Sequence, residues 1–161
     1  MTSVDEILRH NFHVLPTDLD ENFHMNNSKY LSYMEYARTD IMFRSGLFKY
    51  ALKNKIMAVV ANTSIVYRRP LNVFQKFEVQ TQIVSWNDEK VYFEHTFKNR
   101  DHFCARAIVE CRIISGNKIP FSKVIKDLGM TSTDGFNKPL DMTLKSDSLM
   151  KTLLSQNETA N

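Results

Sequence analysis

The sequence predicts an α+β fold, one antiparallel sheet of about five strands wrapped around one long helix. Three observations predict it. The segment Asn27 to Gly46 carries apolar residues at helical spacing and few charges. Four later segments, between Met57 and Ile114, show period-two alternation or runs of β-branched residues. Short polar turns separate the last three of these, as in a meander.

In chain order, residues 2–9 read as a lead-in. Phe12-His13-Val14-Leu15 reads as the first strand, closed by Pro16. A polar loop follows. Asn26, Asn27 and Ser28 are helix-capping types at the start of the long helix. Tyr30, Leu31, Tyr33, Met34 and Ala37 set its apolar positions, continued by Ile41, Met42 and Phe43. Glu35 and Arg38 stand three apart, a spacing that lets them pair. Gly46 ends the run, and Leu47 to Asn54 adds a turn or two of helix.

Met57 to Tyr67 is a strand rich in Val, Ile and Thr. In Lys76 to Trp86, Phe77, Val79, Thr81 and Ile83 share one face. Asn87-Asp88 turns the chain into Lys90 to Lys98, where Val91, Phe93, His95 and Phe97 share a face. Asn99-Arg100-Asp101 turns it into His102 to Ile114, with Ala105, Ala107 and Val109 inward. Pro120 to Leu128 reads as a short helix, Thr131 to Lys138 as a loop, and Asp147 to Gln156 as an amphipathic helix. A length of 161 residues fits one domain, 1–161, with a core over 10–115 and a helical extension over 120–156.

Composition narrows the function classes. The net charge of +3 comes without any Lys/Arg cluster longer than a pair, so no nucleic-acid partner is expected. Cys104 and Cys111 match no metal-ligand spacing. Their odd offset predicts opposite strand faces, and so no disulfide. The start of the chain is acidic without an apolar core, and no run approaches a membrane span. A cytoplasmic setting is the expectation.

The stretch Asp18 to Arg38 carries the chemistry. Two aspartates, Asp18 and Asp20, with His24 and the adjacent Asn26 and Asn27, stand at the start of the long helix. The first N–H groups of a helix have no internal partner, and that end carries partial positive charge. A carbonyl oxygen docked there would be polarised. A nearby carboxylate would serve as base on a water or as nucleophile. Asp at a helix start also occurs simply as a cap. The opening Asp18-x-Asp20-x-Asn22 is not a calcium loop, because Phe23 and Lys29 stand where that loop needs Gly and Glu.

Asp18-x-Asp20-x-x-x-His24-Met25-Asn26-Asn27-x-x-Tyr30-Leu31-x-x-Met34-Glu35-x-x-Arg38 resembles the signature of hotdog-fold thioesterases of the 4-hydroxybenzoyl-CoA type. That signature is roughly Asp-x-Asp-x-x-Gly-His-x-Asn-Asn-x-x-Tyr, followed by an aromatic-rich helix. Tyr67-Arg68-Arg69-Pro70-Leu71, Phe74-Gln75 and Glu94-His95 resemble the branch called thioesterase superfamily member six-like. The likeness spans roughly residues 10–115. It implies a hotdog fold and hydrolysis of a fatty or aromatic acyl-CoA to acid and coenzyme A. It implies no cofactor beyond the coenzyme A of the substrate.

Residue by residue, the resemblance makes Asp20 the base or nucleophile and the Asn27 backbone N–H the oxyanion site. Asp18 is given a structural role. His24 lines the site or braces the loop. Phe23 stands where many relatives have Gly, and either narrows the pocket or alters the turn. Phe23, Tyr30 and Tyr33 form part of the acyl pocket. Arg68 and Arg69 meet the phosphates of coenzyme A, and Asn62 and Ser64 line the pantetheine path. Glu35 is the rival base, but it lacks the His-Gly-Gly that precedes such a residue in other hotdog enzymes. Pairing with Arg38 is its better reading, and His95 is read as a satisfied core residue. Relatives pair sheet edges, so a homodimer or homotetramer is implied, with sites between subunits. Two rivals remain: an acyl-CoA or lipid-binding module without catalysis, and a hydratase or dehydratase.

Overall fold

A computed structural model describes residues 6–100, 102–116 and 118–130. The element order is β1 (Leu8–His13), a 3-10 turn (Pro16–Asp18), α1 (Asn27–Arg44), α2 (Leu47–Asn54), β2 (Ile56–Tyr67), β3 (Lys76–Trp86), β4 (Lys90–Asn99), β5 (His102–Ser115) and α3 (Phe121–Asp127). The five strands form one sheet in the order β1-β3-β4-β5-β2. Every neighbouring pair is antiparallel. The α+β expectation holds. The predicted loop over 131–138 and helix over 147–156 lie outside the described residues.

The first strand begins earlier than Phe12. Leu8 to His13 pairs with β3, Val14 exchanges backbone hydrogen bonds with Phe74 and Gln75, and Leu15 caps the turn that follows. Leu8, His10 and Phe12 turn inward, but their alternation with Arg9, Asn11 and His13 is too polar to announce a strand.

α1 is held in place by a stripe. Tyr30, Met34, Ala37 and Ile41 are all buried, at the i, i+4, i+7 and i+11 spacing of one helix face. They meet the inward residues of the strands, including Phe77, Val79, Ile83, Phe93 and Phe97. Each large side chain buried this way contributes about 1.5–3 kcal/mol. Ser45 caps the helix end by donating its hydroxyl to the Ile41 carbonyl at 2.6 Å. Gly46 then takes a left-handed backbone (φ 77°) and starts α2.

Irregularities in the sheet decide where Asn62 and Ser64 lie and overturn the reading of Cys104 and Cys111 from simple alternation. β2 bulges between Val60 and Asn62. Before the bulge, Ala58 and Val60 pair with Ile113 and the core residue Cys111. After it, Ile65 pairs with the core residue Ala107, whereas Ser64 pairs with Ile108 and Asn62 with Glu110. Ile108 belongs to a separate small cluster with Tyr92 and Val84. One extra residue has switched the faces of the strand. Asn62 and Ser64 therefore lie on the sheet face away from α1. Likewise Cys104 sits where the β4–β5 register shifts, and both Cys104 and Cys111 are buried free thiols in the helix-side core, not on opposite faces.

Candidate active site

The loop before α1 is a small hairpin. Leu19 bridges Met25, and the Asp20 N–H donates to the His24 carbonyl at 2.9 Å. Phe23 N–H donates to the Asp20 carbonyl at 3.1 Å, and Phe23 itself has φ 59°. A turn followed by a left-handed residue is the geometry for which Gly is the usual choice. Phe23 thus alters the turn. Its side chain is 76% exposed and does not line the cleft described below, so it does not narrow that pocket. A second segment anchors the hairpin: Met25 N–H donates to the Leu71 carbonyl at 2.8 Å, and His24 bridges Asn72.

The two carboxylates of the loop have different employment. Asp18 is buried and fully engaged. One oxygen accepts from the Leu15 N–H at 3.0 Å and the Tyr33 hydroxyl at 2.7 Å, and Lys29 Nζ lies 3.3 Å from the other. Burial pushes its carboxyl up, but the hydrogen bonds from Tyr33, Leu15 and Lys29 outweigh this and hold it below its ordinary value. Tyr33 therefore anchors the loop and packs its ring on Phe12 and Phe77. It does not line the cleft, contrary to its expected place in the acyl pocket.

Asp20 Oδ1 accepts from the Asn22 N–H at 2.8 Å and weakly from the His24 N–H at 3.4 Å. Its Oδ2 has no partner among the described residues. Asn26 caps α1, its side chain accepting from the Ser28 N–H at 2.8 Å. The Asn27 N–H has no partner among the described residues. Asp20, His24, Asn27, Tyr30, Arg68 and Arg69 line one cleft of about 260 Å3. One cleft thus presents a carboxylate oxygen, a helix-start N–H and two arginines.

Tyr67 also lines the cleft. Its hydroxyl donates to the Asn27 carbonyl at 3.3 Å, and its ring meets Tyr30 edge-on at 5.0 Å. It ties the end of β2 to the start of α1. The signal for it was its place directly before Arg68-Arg69, but only the fold brings it to the loop. Asn62 and Ser64 are not brought to this cleft, for the reason of strand parity given above.

Glu35 and Arg38 form no ion pair within 4.0 Å among the described residues. Arg38 Nη1 instead lies 3.3 Å from His95 Nε2. A guanidinium can only donate, so Nε2 accepts and the ring proton sits on Nδ1, which donates to Thr81 Oγ1 at 2.9 Å. His95 is fully buried; burial, with Arg38 beside it, holds its imidazole well below the ordinary range and neutral. It is a satisfied core residue, as expected. Among the described residues no three His, Cys, Asp or Glu side chains converge to hold a metal. No described helix is long and apolar enough to cross a membrane.

Comparisons with known proteins follow this geometry. Residues 14–128 match the model of the family described as "Thioesterase-like superfamily". Protein THEM6 of Xenopus laevis is 38% identical over 105 residues, covering 65% of this chain and 51% of that one. The long-chain acyl-CoA thioesterase FadM of Escherichia coli (strain K12) is 35% identical over 69 residues, covering 43% of this chain and 52% of that one. This chain thus spans about half the length of the curated relatives it matches. Among solved structures, the probable thioesterase YbaW of Escherichia coli superposes with a TM-score of 0.68 at 23% identity, over 75% of this chain and 96% of that one. That likeness establishes the hotdog fold. The match over residues 14–128, together with the sheet and its enclosed helix, places the chain in the thioesterase-like superfamily.

Proposed function

We propose that the protein hydrolyses an acyl-CoA thioester to a free acid and coenzyme A. One observation carries this reading: Asp20 and Asn27 line the same cleft, and neither Asp20 Oδ2 nor the Asn27 N–H has a partner among the described residues. The thioester carbonyl oxygen sits against the Asn27 N–H, where the helix start stabilises the developing oxyanion. Asp20 takes a proton from the attacking water, or attacks the carbonyl carbon itself to give an anhydride that water then hydrolyses to the free acid and the restored carboxylate; the same oxygen serves either route. The thiolate leaves, takes up a proton and departs as free thiol. Arg68 and Arg69, at the rim, meet the phosphates of coenzyme A. FadM is named for long-chain acyl-CoA, which favours a fatty over an aromatic acyl group.

The same reading includes a homodimer. β2 is a twelve-residue edge strand with Met57, Val59 and Val60 exposed. An edge this long and apolar is a template for pairing. A two-fold pairing of β2 with its copy is antiparallel. It sets the Tyr67 end of one strand, with its cleft, beside the Ile56 end of the other.

The test is free-thiol release by the full chain from short, medium, long and aromatic acyl-CoAs, with Asp20→Ala beside it. Turnover that collapses in the folded variant supports the reading. Acyl-CoA that binds without turnover in the native chain would make the binding module the better one. Phe23, in the place where many relatives have Gly, is the residue that would favour that module, and its exposed side chain lies outside the cleft.

A further inference from the structure

A second cavity lies along the C-terminal half of α1, roofed by α2. It has a volume of about 180 Å3 and is walled by Met42, Leu47, Ile83, Phe93, Phe121 and Val124. Cavities of about 150 Å3 lined in this way stay dry and admit a benzene-sized group. This one is not uniformly apolar, because Glu35 and Arg38 also line it.

Arg38 is the anomaly. A guanidinium carries five N–H donors. Among the described residues its one hydrogen bond to a side chain is the 3.3 Å contact with neutral His95, whose second nitrogen is taken by Thr81. No carboxylate lies within 4.0 Å of it among the described residues. Burial pulls its pKa below the ordinary value, while Cys111 and Glu35 act the other way. Arg38 is half-buried and lines the cavity, so a ligand acceptor there can take donors that His95 leaves unused. Glu35, one turn earlier, is close enough to act on the charge of Arg38 but does not pair with it. Both line the cavity, and a group that accepts from the arginine and donates to the glutamate suits the two together. A hydroxyl does both. A carboxylate would satisfy Arg38 but meet Glu35 with like charge. An unsubstituted chain would satisfy neither.

We propose that this cavity receives the far end of the acyl chain, and that Arg38 and Glu35 select chains bearing a hydroxyl there. The inference rests on the thioesterase reading above. The proposed pairing of β2 strands brings the Ile56 end of one copy, and its cavity, to the Asp20 cleft of the other. Ile56, Ala58 and Val60 line the cavity and form that end of the strand.

The experiment measures thiol release from plain, terminally hydroxylated and terminally carboxylated acyl-CoAs, matched in length from medium to long. For the native chain, KM for the hydroxylated member falls at least about fivefold below its plain partner at the best length. Arg38→Met brings that ratio to about one. Glu35→Gln admits the carboxylated chain, so that it approaches the hydroxylated one. Thermal melting checks that both variants are folded. No hydroxyl preference in the native chain overturns the inference. So does a ratio that survives Arg38→Met, which would make the arginine a purely structural partner of His95. If no acyl-CoA is turned over, the thioesterase reading fails, and calorimetry with free hydroxylated and plain fatty acids decides the cavity separately. Hydroxyl-dependent binding that Arg38→Met removes supports it; equal binding of both acids overturns it.

Discussion

The loop before α1 has two halves that treat their carboxylates differently. In the first, Leu15 to Leu19, Asp18 is buried and every oxygen is engaged. In the second, Asp20 to Met25, Asp20 spends one oxygen on the backbone and leaves the other open to the cleft. Two residues of the same type, two positions apart, thus differ in what they leave unpaired, and the proposed chemistry falls to Asp20. Burial and partner count separate them; sequence position does not. The loop can aim Asp20 only because Asp18, Tyr33 and Lys29 fix its base to α1.

This division can be broken at several points. The largest effect is expected at the helix start. Asn27→Pro removes the one N–H the oxyanion needs, at a position where Pro is well tolerated. The preceding residue, Asn26, already has the extended backbone (φ −57°, ψ 139°) that a following Pro requires. Turnover should drop by about a hundred- to a thousandfold, with melting little changed. Steady-state thiol release beside a melting curve checks both.

Asp18→Asn should act on stability. It removes a charge that accepts two hydrogen bonds and faces Lys29. The loss at neutral pH should be about 2 kcal/mol. Because the folded Asp18 titrates below its ordinary value, its contribution is full above the unfolded carboxylate pKa of about 3.9. It fades as pH falls through the lower, folded pKa. Denaturant midpoints from neutral to acid pH should therefore show the variant and native curves converging at the acid end.

Arg69→Ala should raise KM for acyl-CoA about tenfold and leave kcat near native, since it removes a phosphate contact made equally in ground and transition states. A substrate lacking the nucleotide phosphates should be indifferent to the change. The smallest effect is at Phe23. Phe23→Gly should stabilise the chain by about 1 kcal/mol, because a left-handed backbone strains every residue with a Cβ. Melting temperature is the readout, and KM should not move.

Much of the fold was legible because helix and strand periods differ so plainly. The stripe Tyr30, Met34, Ala37 and Ile41 and the inward set Phe77, Val79, Thr81 and Ile83 follow from spacing alone. The residues of the candidate cleft were legible for a different reason: Asp20, His24 and Asn27 are local in sequence, and Arg68 and Arg69 come with a motif. What failed was parity. The register shift between β4 and β5 puts Cys104 and Cys111 in the same core, and no composition signal marks it, nor the bulge in β2 that sets the face of Asn62 and Ser64. The fate of Arg38 was also hidden. An i,i+3 spacing permits a pair with Glu35, but His95, fifty-seven positions away, reaches the arginine instead.

The most direct test puts Asp20→Asn and Asp18→Asn side by side, with thiol release and thermal melting measured on both. Asparagine keeps an acceptor at each position but removes the charge. Asp20→Asn should lose about a hundred- to ten-thousandfold in kcat/KM and melt close to the native chain. Asp18→Asn should melt earlier and retain most of its turnover while folded. Near-native turnover in Asp20→Asn, with activity lost from folded Asp18→Asn, would contradict the division of labour and move the catalytic carboxylate to Asp18.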